Sequence, residues 1–119
     1  MEVIIHNIGS KIVEFCSEKT ILNIAQDALD LMVLASEKDA SKIILNENSI
    51  HPDFFKLKSG LAGEVLQKFV NYHVKLAIIG DFNKYASKSL KSLITESNSG
   101  NQFFFVSDVS EAIAKLSKV

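Results

Sequence analysis

The chain has 119 residues, 47% of them hydrophobic and 23% charged, with a formal net charge of -1. This balance suits one folded domain over residues 1–119, while the near-neutral charge and the lack of a Lys/Arg run argue against general nucleic-acid binding and a polybasic membrane patch. No apolar run approaches the roughly 20 residues needed to span a bilayer, and Met1-Glu2-Val3 begins no basic-then-apolar leader, so the expectation is a cytoplasmic protein without a membrane partner.

Val3-Ile4-Ile5 and Lys11 to Cys16 flank the turn-forming Asn7-Ile8-Gly9-Ser10, which predicts an antiparallel hairpin. Cys16 is the only cysteine; this excludes an intrachain disulfide and a multi-cysteine metal site, and its apolar neighbours predict a buried structural thiol. From Thr20 the period changes, and Ile24, Ala28, Leu31, Met32 and Ala35 share a helix face ending near Ser36, with Thr20 or Asn23 as its cap. Residues 42–80 then read as a βαβ unit. Ile43-Ile44-Leu45 and Val74 to Ile79 are short branched-aliphatic runs suited to a parallel sheet, closed by turn formers at Asn46 to Ser49 and at Gly80-Asp81. Between them, Leu61, Val65, Leu66 and Phe69 recur at helical spacing behind Ser59-Gly60. Ser87 to Glu96 predicts a short helix with Leu90, Leu93 and Ile94 buried and Lys84, Lys88 and Lys91 on a solvated side. Phe103 to Val106 is the last strand, and Asp108 with Glu111 forms a capping box for a helix burying Val109, Ala112, Ile113 and Leu116. The order ββαβαβαβα predicts an α/β mixed sheet, an N-terminal hairpin followed by parallel βα units.

Through Ile50-His51-Pro52-Asp53-Phe54-Phe55, Ser59-Gly60-Leu61-Ala62-Gly63-Glu64, Lys75 to Asp81 and Phe104-Phe105-Val106 the chain resembles the bacterial family called domain of unknown function 4180, which brings no established activity. More distantly, the element order and Ser59-Gly60-Leu61 look like the STAS fold of anti-sigma-factor antagonists. There an Asp-Ser-Ser-Gly-Leu motif opens the helix after the third strand, and a partner kinase phosphorylates the Ser before the Gly to control docking. The resemblance places that Ser on Ser59, the Gly on Gly60 and the Leu on Leu61, whereas the family's Asp falls on Leu57 and its first Ser on Lys58. It implies a STAS-like domain with a phospho-switch at Ser59 and a protein partner.

The chemistry of Ser59 can be read without a family. A hydroxyl at a helix start accepts from free backbone donors, and a phosphate there would add a charge of about -1.5 to -2 facing the same donors. A plain cap is the simpler alternative, and Gly60 and Gly63 are expected to let the helix approach the sheet or a partner closely. Around the same sheet edge Asn46, Glu47, Asn48, His51, Asp53, Ser59 and Asp81 form the one polar concentration worth testing as an active site. His51 with Glu47 or Asp53 would form a base and its orienting carboxylate, with Ser59 as nucleophile and Asp81 at the same edge, in a small-molecule-binding protein or minor hydrolase. No nucleophile elbow or dinucleotide fingerprint supports this, and His51 before Pro52 can simply fix a loop. His6, His51 and His73 are scattered, with His6 and His73 expected at a strand edge and a helix end, so no metal or cofactor is expected. Phe54 and Phe55 either roof the core or form a partner-facing patch, through which a homodimer could also form. The favoured expectation is a non-enzymatic regulatory or interaction module working through His51, Asp53, Phe54, Phe55, Ser59, Gly60, Leu61 and the loop from Asp81 to Ser87.

Overall fold

Alternating side chains at the start of the chain give two strands, β1 (Glu2–Asn7) and β2 (Lys11–Cys16), paired antiparallel from Glu2↔Cys16 to Asn7↔Lys11. Gly9 supplies the left-handed residue of the turn, φ +96°, a conformation that costs glycine no Cβ clash. The computed structural model describes all 119 residues. Three further strands, β3 (Lys42–Asn46), β4 (Lys75–Ile79) and β5 (Phe103–Val106), add in parallel, so the sheet runs β1-β2-β3-β4-β5 in chain order. Helices α1 (Ala25–Ser36), α2 (Leu61–Asn71), α3 (Lys88–Ser99) and α4 (Val109–Leu116) complete the mixed α/β architecture expected from the sequence.

The two faces of the sheet are covered unequally. Val13, Phe15, Ile43, Leu45, Leu76, Ile78 and Phe105 share a cluster of 22 buried residues with α1, α2 and Leu90 of α3. The opposite face carries only 7, where Ala112 and Leu116 of α4 meet Ile12, Ile44, Ala77, Phe104 and Val106. Ile43, Ile44 and Leu45 are therefore all fully buried, as a parallel strand between two layers requires. Helix α4 packs on β3, β4 and β5 and, apart from buried Ile12, leaves the β1–β2 end of its face open. Lys42 reaches that margin, donating to Ser10 Oγ at 3.0 Å, with its ammonium held below the usual lysine range by burial and then by Lys75.

Several local expectations change. The N-cap of α1 is Ile24, not Thr20 or Asn23: Asp27 reaches back from the third helical position and accepts from the backbone of Asn23 at 2.8 Å and Ile24 at 3.1 Å. Helix α3 runs three residues beyond Glu96 because Asn98 is useful inside it. Its side chain accepts from Phe105 N–H at 2.7 Å and donates to Phe105 C=O at 3.2 Å, a tertiary bond that outweighs the turn propensity of Ser97-Asn98-Ser99. Asp108 caps α4 by accepting from Glu111 N–H at 2.8 Å, while Glu111 accepts from Ser107, one residue before the cap. His73 ends α2 at φ +57°, with Val74 N–H donating to Phe69 C=O at 3.0 Å. Cys16 is only half-buried, on the open sheet face; burial and then Glu14 push its thiol up.

Candidate functional site

The carboxyl ends of β3 and β4 stop together, with Asn46 opposite Ile79, so the next residues, Glu47 and Gly80, are brought side by side. Glu47 begins a single 3-10 turn, Glu47–Ser49, and is 9% exposed. Its carboxylate is fully engaged. Oε1 accepts from the backbone of Asp81 at 3.0 Å and from Lys84 Nζ at 3.1 Å, and Oε2 accepts from the Tyr85 hydroxyl at 2.9 Å. A Cβ at position 80 would lie 2.7 Å from Glu47 Cδ and Oε1, so glycine is needed there to seat the carboxylate.

The same loop is held from below by aromatic rings. Tyr85 stacks on Phe55 with centroids 5.2 Å apart, Phe82 meets Phe105 edge-on at 5.3 Å, and Lys84 Nζ sits 5.4 Å from the Tyr85 ring centre. Burial, then the hydrogen bond and charge of Glu47, push the Tyr85 phenol up to about 12. At neutral pH it remains a proton donor to Glu47. Asp81 turns its own carboxylate back onto Asn83 N–H at 3.2 Å. The arrangement is a clamp that fastens residues 81–85 over the sheet end.

A second group lies on the approach to α2. Here the chain makes two short 3-10 turns, Pro52–Phe55 and Leu57–Ser59. His51 Nδ1 accepts from Asp53 N–H at 3.0 Å, which fixes the start of the first turn and requires Nδ1 to be the unprotonated nitrogen. The Asp53 carboxylate lies 3.8 Å from His51 Nδ1 and 3.9 Å from Lys56 Nζ. Exposed Ser59 ties the two turns to the helix: its hydroxyl donates to Asp53 C=O at 2.6 Å and accepts from Leu61 N–H at 3.2 Å. The helix cap proper is Gly60, at φ +82°. Ser59 is thus a staple one residue before the cap, not the plain N-cap expected.

The two groups do not join. No hydrogen bond connects His51 or Ser59 to Glu47 or to the Asp81 carboxylate. Although the Asp53 carboxylate lies 3.8 Å from His51 Nδ1, the Ser59 hydroxyl bonds only the backbone of Asp53 and Leu61 and not His51, so base, orienter and nucleophile are not assembled. Phe54 and Phe55, 0% and 5% exposed, belong to the core and present no patch to a partner or a second copy. The 3-10 turn directs both rings inward, and their centroids meet edge to face at 5.0 Å. An added Cβ at Gly60 or Gly63 would meet nothing within 4 Å; Gly60 is needed for its left-handed φ, and Gly63 for no close approach. Lys84 precedes α3 and serves the clamp, while Lys88 and Lys91 are exposed. An open cleft of about 940 Å³ lies elsewhere, between Met1-Glu2, the end of β2 and Asn46 and Asn48. No three His, Cys, Asp or Glu residues are grouped to hold a metal, and no helix is long and apolar enough to cross a membrane.

Gly80, read as a turn former, Lys84, read as solvated, and Tyr85, read only as part of the Asp81 to Ser87 loop, instead hold Glu47. The signal for them was register: two parallel strands ending together place Glu47 against Gly80, and a buried carboxylate must then recruit donors from the nearest loop. The family described as Domain of unknown function (DUF4180) matches residues 7–116. No curated protein and no solved structure matches the chain.

Proposed function

The chain belongs to the DUF4180 family, a description that assigns no activity, and from its own surface we propose a cytoplasmic, non-catalytic regulatory module that docks a protein partner and is switched at Ser59. The observation that carries this reading is the pair of bonds at the Ser59 hydroxyl, one given and one received, on an exposed side chain at the start of an 11-residue helix. Phosphorylation replaces the hydroxyl proton. Oγ then has nothing to donate to Asp53 C=O, and a contact of 2.6 Å between two acceptors becomes repulsive. The new dianion turns instead toward the first-turn N–H groups of α2 and the neighbouring Lys58, where the helix dipole favours it. His51, Asp53, Gly60 and Leu61 lie on the segment that would rearrange, so the surface offered to a partner changes while the sheet does not.

The sheet order, with an antiparallel first pair and a helix opened by Ser59-Gly60-Leu61 after the third strand, supports the comparison with STAS regulators. Leu57 and Lys58 in place of that family's acidic and first Ser positions imply a different recognising kinase. The test is mass spectrometry of the protein isolated from its native cytosol, alongside pull-downs with wild type, Ser59→Ala and Ser59→Asp. A phosphate on Ser59 and a partner kept by Ser59→Ala but lost by Ser59→Asp are expected. An unmodified Ser59 with the same bound proteins for all three forms would sink the reading.

A further inference from the structure

A sheet has two edges, and here they are finished differently. At β5 the strand is short, and Asn98 both accepts from and donates to the backbone of Phe105. One side-chain amide thus takes the place of a neighbouring strand. At β1 nothing comparable occurs. An antiparallel pair uses the amides of alternate residues, so half of the N–H and C=O groups of a six-residue edge strand point away from β2. No side chain or loop hydrogen bonds to the outer backbone of β1. Nor does β1 contain Pro or Lys, the usual devices that blunt an edge.

The side chains of β1 are self-complementary. Val3 and Ile5, paired with Phe15 and Val13, lie on the face that carries α1 to α3 yet remain 36% and 48% exposed. Glu2, Ile4 and His6 lie on the other face. A two-fold axis perpendicular to the sheet keeps each face continuous across two copies, and an antiparallel join then pairs odd residues with odd and even with even. With the axis at Ile4, Val3 meets Ile5 of the second copy, Ile4 meets Ile4, and Glu2 meets His6. Each apolar residue finds an apolar partner and each acid finds an imidazole, twice. Sliding the join by two residues either way sets Glu2 opposite Ile4 or His6 opposite Ile4, losing the match. His6 Nε2 already bonds Glu14 Oε1 at 2.9 Å, and Nδ1, which has no partner within one chain, is available to Glu2 of the second copy.

We propose that β1 is a homodimer interface, joining two copies antiparallel about Ile4 into one ten-stranded sheet. The occupant is a second copy because the strand complements itself in charge and apolar pattern. Sedimentation equilibrium on the full chain should give a mass twice 13.2 kDa, and Ile5→Lys, with unchanged circular dichroism, should return it to the single-chain value. The register is tested independently by mild oxidation in a Cys16→Ser background. Ile4→Cys should form an intermolecular disulfide, since opposed Cα atoms lie about 4.5–5.5 Å apart. Asn7→Cys should not, because its copies lie about 20 Å apart at roughly 3.4 Å per residue. A wild-type mass of 13.2 kDa at all concentrations, a dimer that survives Ile5→Lys, or cross-linking at position 7 and not 4 would each overturn the proposal.

Discussion

Glu47 and Ser59 both lie near the carboxyl end of the sheet, both are polar, and each is tied to a neighbouring segment; the difference lies in how many bonds each could lose. Glu47 is buried, with both oxygens taken by three donors and its carboxyl group and Cγ against Gly80. Desolvating a carboxylate is tolerable only when it is satisfied in this way, so its reactivity is spent on holding a loop. Ser59 is exposed and makes one bond in each direction. A group held so lightly can be modified or released without unfolding the sheet, which is why the regulatory reading rests on Ser59.

The largest test of this contrast is Glu47→Ala, which strands a backbone N–H and a half-buried phenol. Urea unfolding should show a loss of about 3 kcal/mol, with little of it from the half-exposed Lys84. Gly80→Ala should cost about 1–2 kcal/mol by displacing the pinned carboxylate, and almost nothing more in the Glu47→Ala background. Full additivity in that double-mutant cycle would mean that Gly80 and Glu47 are not coupled.

Tyr85 sharpens the comparison through pH. Its folded phenol titrates at about 12, whereas an unfolded tyrosine titrates near 10. The folded state therefore holds the proton more tightly. The contribution is complete below pH about 10 and is lost as pH rises toward 12. Tyr85→Phe should flatten that alkaline fall relative to wild type, and parallel stability curves for the two would show that burial and Glu47 together do not hold the phenol's proton. Ser59→Ala should have the smallest effect, about 1 kcal/mol for a lost local hydroxyl. A loss as large as that of Glu47→Ala would place Ser59 among the structural groups and remove the basis for a switch.

Much of the fold could be read in advance because its signals are local. Ile43-Ile44-Leu45, short, branched and closed by turn formers, suits a strand with both faces covered, and the spacing of Leu61, Val65, Leu66 and Phe69 suits one helix stripe. The site was less legible. Phe54 and Phe55 sit in a polar stretch that looks exposed, yet a 3-10 turn begun by Pro52 and fixed by His51 points both rings inward. Asn98 reads as a helix terminator until β5 arrives with an unpaired Phe105.

The amino-acid sequence by itself determined the order of strands and helices, the hairpin and most of the buried stripes, since periodicity and turn chemistry act over a few residues. Only the tertiary structure decided that Glu47 is a clamp, that Ser59 precedes the cap, and that Asn98 covers the Phe105 backbone at one sheet edge while the other edge is left without such a bond. Those outcomes depend on which segments meet across 34 residues, in the case of Glu47 and Asp81, and on whether burial leaves a polar group a partner. No local pattern encodes either.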